Sequence, residues 1–287
     1  MVEDRYARQI LLFGEEGQRR LADSRVGIVG LGGMGSQVGQ GLAYLGVRHL
    51  VLIDDDHVST SNLNRMVGAV PDDAEHEASK VDVAARMIGA VLPGADLLPL
   101  AQNLRTDEAI EALIGCRVVF GCVDDDGARL VLTELAAAYE LTLIDAAAEI
   151  FPGDQPDQPL RWGGRLVVAR PGDFCVDCAQ QIDMEIAKEE LETEETRDLR
   201  RRHGYGAGDS APAPAVVNLN GVIANLAVTE FMVMITGLRE PRRFLVYHAD
   251  RGIVNERKDA RRPTCYTCGY LVGKREAANV RRFLLAG

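Results

Sequence analysis

The sequence has few aromatic residues. Phenylalanine, tyrosine and tryptophan make up 5% of its 287 residues, and Trp162 is the single tryptophan. The hydrophobic residues reach 47%, so a core must be built mainly from valine, leucine, isoleucine and alanine. This composition suits a buried parallel sheet covered by helices. A chain of this length can bury one large core or two modest ones.

The sequence also lacks an excess of positive charge. Lysine and arginine number 32 against 43 aspartate and glutamate residues, which gives a formal net charge of −11. Because phosphate binding needs a basic face, this balance argues against a nucleic-acid partner. The basic clusters at 200–202 and 261–262 are short, and we interpret them as solvated loops.

No leader segment or membrane-spanning run is evident in the sequence. The first residues, MVEDRYARQ, are charged, and the longest apolar stretch, 222–238, is interrupted by Asn225 and Glu230. We therefore expect a cytoplasmic protein without membrane contact. In that compartment the six cysteines are expected to be metal ligands or buried thiols rather than disulfides.

The first half alternates short β-rich runs with segments of helical apolar spacing. The predicted strands are Arg25–Val29, Leu50–Ile53, Asp96–Leu100, Arg117–Phe120 and Leu141–Ile144. The predicted helices are Gly33–Leu45, Ser79–Val91, Thr106–Ile114 and Gly127–Tyr139. This alternation predicts an α/β fold with a Rossmann-like, doubly wound, mainly parallel sheet.

The pattern changes after Asp145. We predict a strand at Arg165–Ala169, a highly charged exposed helix or mobile segment at Ile182–Arg202, and a loop at Gly204–Ala215. A long apolar helix at Val216–Ile235 precedes two late, antiparallel strands at Phe244–Val246 and Ile253–Glu256. We expect one continuous body over residues 1–287.

A glycine loop follows the first predicted strand and opens the first helix. Its G-x-G-x-x-G pattern is set by Gly30, Gly32 (followed by Gly33) and Gly35. Such glycines let phosphates approach the backbone, where the helix N-terminus supplies free N–H groups. Asp54 ends the second strand, where a carboxylate usually binds a ribose hydroxyl. At this point an NAD- or FAD-dependent enzyme fits equally well.

The whole set of motifs resembles the ThiF/MoeB/HesA family, which contains the ubiquitin-activating enzymes. The resemblance covers nearly the whole chain and rests on five segments in the same order. They are RYARQ at 5–9, GLGGMGS at 30–36, the D-x-D-x-V-x-x-S-N-L-x-R pattern at 54–65, SKV at 79–81, and CVDD at 122–125 with Arg129 following. A dehydrogenase explains neither the polar loop at 62–65 nor Lys80.

The resemblance implies a binding site for ATP. Asp54 would hold the ribose, and Asn62, Arg65 and Lys80 would contact the phosphates. Expulsion of pyrophosphate moves negative charge, and preorganised cations such as Arg65 and Lys80 stabilise that charge. In this reading residues 1–150 form the nucleotide-binding half, and 151–287 form the zinc, crossover-loop and substrate-binding half.

The resemblance also implies two further catalytic residues. Asp124 would lie near Mg²⁺ and the attacking carboxylate. Arg8 would reach across a homodimer to the ATP of the partner, as an arginine finger. The substrate would be the C-terminal carboxylate of a small ubiquitin-like or sulfur-carrier protein that ends in glycine.

Two C-x-x-C pairs lie in the second half, at Cys175 and Cys178 and at Cys265 and Cys268. Each pair can grip one side of a tetrahedral ion, and Zn²⁺ is the expected metal. Their wide separation leaves a redox dithiol as the rival interpretation. The family commonly carries the same two knuckles, so the resemblance favours a structural zinc site. We expect the remaining cysteines, at 116 and 122, to be buried packing residues.

One departure from the thioester-forming members bears on the reaction. They hold a nucleophilic cysteine in the crossover loop, whereas residues 180–215 of this chain contain none. The sequence is thus closest to the MoeB-like branch, in which the reaction stops at the acyl-adenylate. The acyl group would pass to a separate carrier or sulfur-donor protein.

Three alternative functions remain open on the sequence. The enzyme could activate a small-molecule or tRNA-borne carboxylate. The chain could be a non-catalytic scaffold subunit, although the presence of Arg65, Lys80 and Asp124 argues against that. The third alternative is an NAD-dependent oxidoreductase, which fails to explain the polar loop at 62–65 and Lys80.

Overall fold

A computed structural model describes residues 2–151, 161–192 and 215–285. Its centre is an eight-stranded sheet with the order β3-β2-β1-β4-β5-β6-β7-β8. The strands are β1 Arg25–Val29, β2 His49–Ile53, β3 Asp96–Leu100, β4 Val118–Gly121, β5 Thr142–Phe151, β6 Arg161–Ala169, β7 Phe244–His248 and β8 Ile253–Glu256. The predicted architecture, mainly parallel with late antiparallel strands, is confirmed.

The α-helices of the described residues follow the predicted alternation. They are α1 Val2–Ala22, α2 Gly33–Leu45, α3 Pro71–Glu75, α4 Lys80–Val91, α5 Asp107–Ile114, α6 Asp126–Tyr139, α7 Met184–Leu191 and α8 Val217–Thr236. Of the predicted charged segment, α7 is described, whereas 193–202 and nearly all of the predicted loop at 204–215 lie outside the described residues.

The parallel half reverses its strand order between β1 and β4. Strand β1 pairs in parallel with β2 on one side and with β4 on the other, so Val29 lies beside both Ile53 and Gly121. In open α/β sheets, ligands bind outside the carboxyl ends of the strands at such a switch point. The loops that follow β1 and β4 are therefore the expected place for a site.

Strands β5 and β6 are longer than the sequence predicts. They pair antiparallel at nine positions, from Leu143 beside Ala169 to Phe151 beside Arg161. The extension includes three consecutive alanines, 146–148, whose weak strand preference gave no signal. Pairing along the hairpin overrides that preference, because strand propensity depends strongly on context.

Helix α8 lies on the same face of the sheet as α2 and packs against β5 and β6. Among the described residues it is the one helix long and apolar enough to cross a membrane, which differs from the sequence expectation. Over half of its apolar window is buried in the protein, with Ala224, Ala227 and Phe231 fully enclosed. Core helices of this length meet the same criteria, and the burial explains its apolar composition.

Candidate active site

The glycine loop joins β1 to α2 in a conformation that only glycine provides. Gly30 has φ +84°, and a Cβ there would lie 2.6 Å from the carbonyl oxygen of Cys122. A Cβ on Gly35 would overlap the carbonyl oxygen of Gly30, whereas one on Gly32 would meet nothing within 4 Å. No side chain caps the N-terminus of α2. The first N–H groups of α2 are thus available to an anion in front of Gly32.

Asp54 fixes this loop from the end of β2. Its Oδ2 accepts a hydrogen bond from the backbone N–H of Leu31 at 2.6 Å, and its Oδ1 accepts one from the N–H of Asp56 at 2.9 Å. The side chain is only 7% exposed. Burial raises the pKa of this carboxyl, and the nearby ammonium of Lys80 opposes that shift.

Lys80 is the first residue of α4, and its side chain is 11% exposed. The ammonium Nζ lies 2.6 Å from Oδ2 of Asp56 and 3.8 Å from Oδ1 of Asp54. Asp56 is 69% exposed, so one of the two carboxylates that face Lys80 borders solvent. The structure therefore places a sheltered cation close to the glycine loop.

The polar loop after β2 contributes Asn62 and Arg65. Asn62 is buried, and its Oδ1 accepts hydrogen bonds from Ser59 N at 2.9 Å and Ser59 Oγ at 3.0 Å, which closes a short helical turn. Arg65 donates to the carbonyl of Ser61. A Cβ on Gly33 would lie 3.1 Å from Cγ of Arg65, so this arginine adjoins the first turn of α2.

Asp124 follows β4 and is exposed. The next residue, Asp125, caps α6 by accepting a hydrogen bond from the N–H of Ala128 at 2.6 Å, and burial raises the pKa of the Asp125 carboxyl. The close approach of Gly30 to the Cys122–Val123 backbone brings this loop beside the glycine loop. Asp124 thus lies at the switch point.

Arg8 is not brought to this site within one protomer. It is exposed on α1, and its neighbours Arg5 and Gln9 donate hydrogen bonds to the carbonyls of Val91 and Tyr44, at the C-terminal ends of α4 and α2. The glycine loop is at the opposite end of α2, whose 13 residues span about 20 Å.

The two cysteine pairs meet in one buried cluster, although they are far apart in sequence. Sγ of Cys175 lies 3.6 Å from Sγ of Cys265, and Sγ of Cys178 lies 3.8 Å from Sγ of Cys268. All four sulfurs lie within 4.8 Å of one another. A tetrahedral zinc with Zn–S bonds of about 2.3 Å separates its ligands by about 3.8 Å, so the cluster fits this metal.

Backbone amides favour thiolates in the cluster. The N–H groups of Cys178, Cys268 and Arg262 each point at a cysteine sulfur at 3.4 Å. Burial nevertheless raises the pKa of the Cys265 thiol to about 12. A bound cation would supply the charge needed to hold four thiolates in this space.

The other two cysteines are poor nucleophiles. Cys116 is buried, which raises the pKa of its thiol to about 11. Cys122 is half-buried against the core, and burial together with the negative charge of Asp145 raises the pKa of its thiol strongly. Cys116 is buried as predicted, whereas Cys122 is only partly buried, and the raised pKa of both thiols disfavours the thiolate needed for attack.

The sequence alone assigned no role to several charged residues behind the site, although Arg129 belongs to one of the motifs that carry the family resemblance. Asp56 pairs with Lys80, and Arg129 links Asp126 to Asp145, which in turn contacts Arg165. Asp145 carried a usable signal, since it follows a predicted strand at the carboxyl edge of the sheet. No sequence signal pointed to a role for Arg165, because its partner, Asp145, lies on the neighbouring antiparallel strand.

Comparison with known proteins defines the class. The profile of the ThiF family matches residues 6–267. The chain therefore belongs to the ThiF family and is an ATP-dependent adenylyltransferase, which removes the oxidoreductase alternative.

Two relatives from Escherichia coli strain K12 illustrate the relationship. The chain is 32% identical to molybdopterin-synthase adenylyltransferase over 272 residues, covering 92% of this chain and 96% of that protein. It is 35% identical to sulfur carrier protein ThiS adenylyltransferase over 169 residues, covering 58% and 62%. A crystal structure of E. coli MccB with AMPCPP and MccA shares the fold, with TM-score 0.71, 19% identity, and coverage of 92% and 74%.

Proposed function

We propose that this enzyme adenylates the C-terminal carboxylate of a small ubiquitin-like or sulfur-carrier protein that ends in glycine, and releases pyrophosphate. The observation that carries the proposal is the convergence of the glycine loop, Lys80 and Asp124 at one switch point. The full-length similarity to an adenylyltransferase of molybdopterin synthase supports the choice of substrate.

In this proposal the nucleotide-binding half, residues 1–150, holds ATP. The open face at Gly32 and the N-terminus of α2 receive the phosphates, with Arg65 alongside. Lys80 turns from Asp56, which is exposed, toward the more negative phosphate oxygens. Asp54 keeps the loop closed, and its remaining lone pairs accept from the ribose.

The reaction needs charge stabilisation more than proton transfer. A carboxylate oxygen attacks the α-phosphorus, the bond to the pyrophosphate oxygen breaks, and the electron pair leaves with pyrophosphate. The attacking group is already ionised, so no general base is required. Asp124 is exposed at the switch point and would hold Mg²⁺, which would neutralise phosphate charge when bound.

The second half, residues 151–287, would bind the carrier protein and hold a structural zinc on Cys175, Cys178, Cys265 and Cys268. We further propose that the reaction on this chain ends at the acyl-adenylate. The segment 180–215 has no cysteine, and the thiol of Cys122 is held protonated by its surroundings. A separate carrier or sulfur donor would then accept the acyl group.

We propose a homodimer in which Arg8 serves the partner's site. Two observations support this proposal: Arg8 lies far from its own glycine loop, and exposed apolar residues lie on the same helix. Leu11 and Leu12 are 88% and 60% exposed on α1, and an open groove runs between Gln37 of α2 and the outer face of α8. Contiguous exposed apolar residues of this kind mark protein contacts.

The proposed reaction is tested by ATP–pyrophosphate exchange with candidate glycine-terminated carrier proteins. We expect exchange that depends on the intact terminal glycine. Lys80→Ala, Arg65→Ala and Asp124→Ala should each keep the fold and slow exchange by about 10²–10³-fold, because each removes one charged group from the site. Exchange driven by small carboxylic acids instead, or at the wild-type rate in Asp124→Ala, would contradict the proposal.

The dimer is tested by mixing Arg8→Ala chains with Lys80→Ala chains. Each variant alone lacks one residue at every site, whereas a mixed dimer has one site with both residues. We expect activity to return on mixing, up to about a quarter of the wild-type rate per site for random pairing. No recovery, with subunit exchange confirmed by light scattering and differently tagged chains, would place Arg8 outside the chemistry.

A further inference from the structure

A buried ionic network lies behind Asp124, formed by Arg129 of α6, Asp145 of β5 and Arg165 of β6. Each of the three residues is 7% exposed or less. Nε of Arg129 lies 3.3 Å from Oδ1 of Asp145. The other carboxylate oxygen of Asp145, Oδ2, pairs with Nη1 of Arg165.

Arg129 contacts the residues on both sides of Asp124 in the chain. Its Nη2 donates to the carbonyl oxygen of Val123 at 3.1 Å, and its Nη1 pairs with Asp126. Burial opposes the charge on Arg129, but the carboxylates of Asp145 and Asp126 outweigh it and raise the pKa of the guanidinium. The arginine thus stays charged while it braces the loop that carries Asp124.

Asp145 and Arg165 anchor this brace to the sheet. Asp145 lies beside Gly121, the last residue of β4, so it stands level with the start of the Asp124 loop. Arg165 comes from β6, opposite Ala147, and its Nε also lies 3.5 Å from Oε1 of Glu149. A continuous line of contacts therefore runs from the β5–β6 hairpin to the backbone at Val123.

A gain in the folding stability of the protein does not explain why these charged residues are buried together. Buried ion pairs gain little over well-packed apolar residues of similar volume, because desolvating the charges costs as much as the pairing returns. What the network does provide is a fixed position for one short loop. The N–H of Cys122 donates to the carbonyl of Val29 at one end of this loop, and Asp125 caps α6 at the other. Arg129 holds the carbonyl of Val123 between those ends.

We propose that Asp145 and Arg165 are positioning residues for adenylation, which act through Arg129 to hold Asp124 in its working geometry. This inference rests on the proposed function, since it assumes that Asp124 takes part in the reaction. Misplacement of a reacting group by about 1 Å can cost about 10²-fold in rate. Loss of either residue should therefore lower kcat and leave the KM for ATP nearly unchanged.

The test measures kcat and KM in pyrophosphate exchange for Asp145→Asn and Arg165→Met, each alone and combined with Asp124→Ala. We expect each single variant to lose about 10–100-fold in kcat. Added to Asp124→Ala, either substitution should cost nothing further, because residues that act as one unit are not additive. Arg165→Lys, which keeps the charge, should recover part of the loss.

Glu230→Gln serves as the matched control. Glu230 is a buried carboxylate on α8 that pairs with Arg239 at 2.7 Å, in the core of the opposite helical layer. We expect it to change the melting temperature but not kcat. If Asp145→Asn folds poorly, the apolar pair Asp145→Leu with Arg165→Met should restore folding and remain slow.

Three outcomes separate the possibilities. A stable Asp145→Asn enzyme with wild-type kcat would overturn the inference. So would losses that multiply with Asp124→Ala, since Asp145 would then act independently of Asp124. Absence of exchange in the wild-type chain with every carrier would instead remove the proposed function itself.

Discussion

The glycine-loop site and the cysteine cluster hold their geometry in different ways. The loop is fixed by a positive φ at Gly30, close backbone packing at Gly35 and the hydrogen bonds of Asp54. The cluster brings four buried thiols together from segments 90 residues apart. The glycine-loop site is therefore preformed by the backbone, whereas the cysteine cluster needs a cation to stabilise its thiolates.

The largest effect is expected from a substitution that removes one sulfur of the cysteine cluster. Cys265→Ser should abolish stoichiometric zinc and unfold much of the second half, because structural zinc sites contribute about 10–16 kcal/mol of apparent binding energy in small peptides. Metal analysis and thermal melts with and without a chelator measure this. Cys116→Ser, which removes a buried thiol outside the cluster, should keep about one zinc per chain. A metal-free protein with an unchanged melting temperature would refute the zinc site.

An effect of intermediate size is expected from alanine substitutions in the glycine loop, which test whether the backbone preforms this loop. Gly35→Ala should destabilise the protein by about 1–3 kcal/mol, since its methyl group has no space beside Gly30. Gly32→Ala faces open space, so the melting temperature should hold while the KM for ATP rises. Denaturant unfolding and exchange kinetics distinguish the two. Equal destabilisation by both substitutions would contradict the open space at Gly32, and an unchanged KM for ATP in Gly32→Ala would show that this face is not a binding surface.

The smallest expected effect is at Cys122, the thiol nearest the loop site. Its raised pKa keeps it protonated at neutral pH, so Cys122→Ser should leave pyrophosphate exchange unchanged. Incubation with ATP and the carrier should give no adduct that dithiothreitol removes. A denaturation-resistant, dithiothreitol-sensitive adduct that disappears in Cys122→Ser would move the protein to the thioester-forming branch.

The sequence predicted the parallel half well because its signals are local. The strand before Gly30, the glycine pattern and the helix after it all lie within 21 residues, 25–45, and their bounds agree with the structure. Strand β3 keeps its predicted bounds despite Pro99, because it lies at the edge of the sheet, where a missing N–H is tolerated.

The sequence could not predict what depends on distant pairing. The extension of β5 to Phe151 and of β6 back to Arg161 comes from their mutual register, which no local pattern contains. The Asp145–Arg165 contact follows from that register. The meeting of the two cysteine pairs was favoured by the resemblance despite their wide separation in sequence, and the folded chain brings their sulfurs into one cluster.

The separation of Cys175 from Cys265 has a consequence during synthesis. Strands β1 to β5 are complete by Phe151, so the parallel half can assemble as it leaves the ribosome. After Cys175 of the first cysteine pair is made, 90 further residues must be added before the second pair begins at Cys265. At about 5–20 residues per second that interval lasts about 4–18 seconds, and for most of it β7, the neighbour of β6, has not been made. Until its last C-x-x-C is made, the nascent chain therefore carries the thiols of Cys175 and Cys178 without the two partners that complete the cluster.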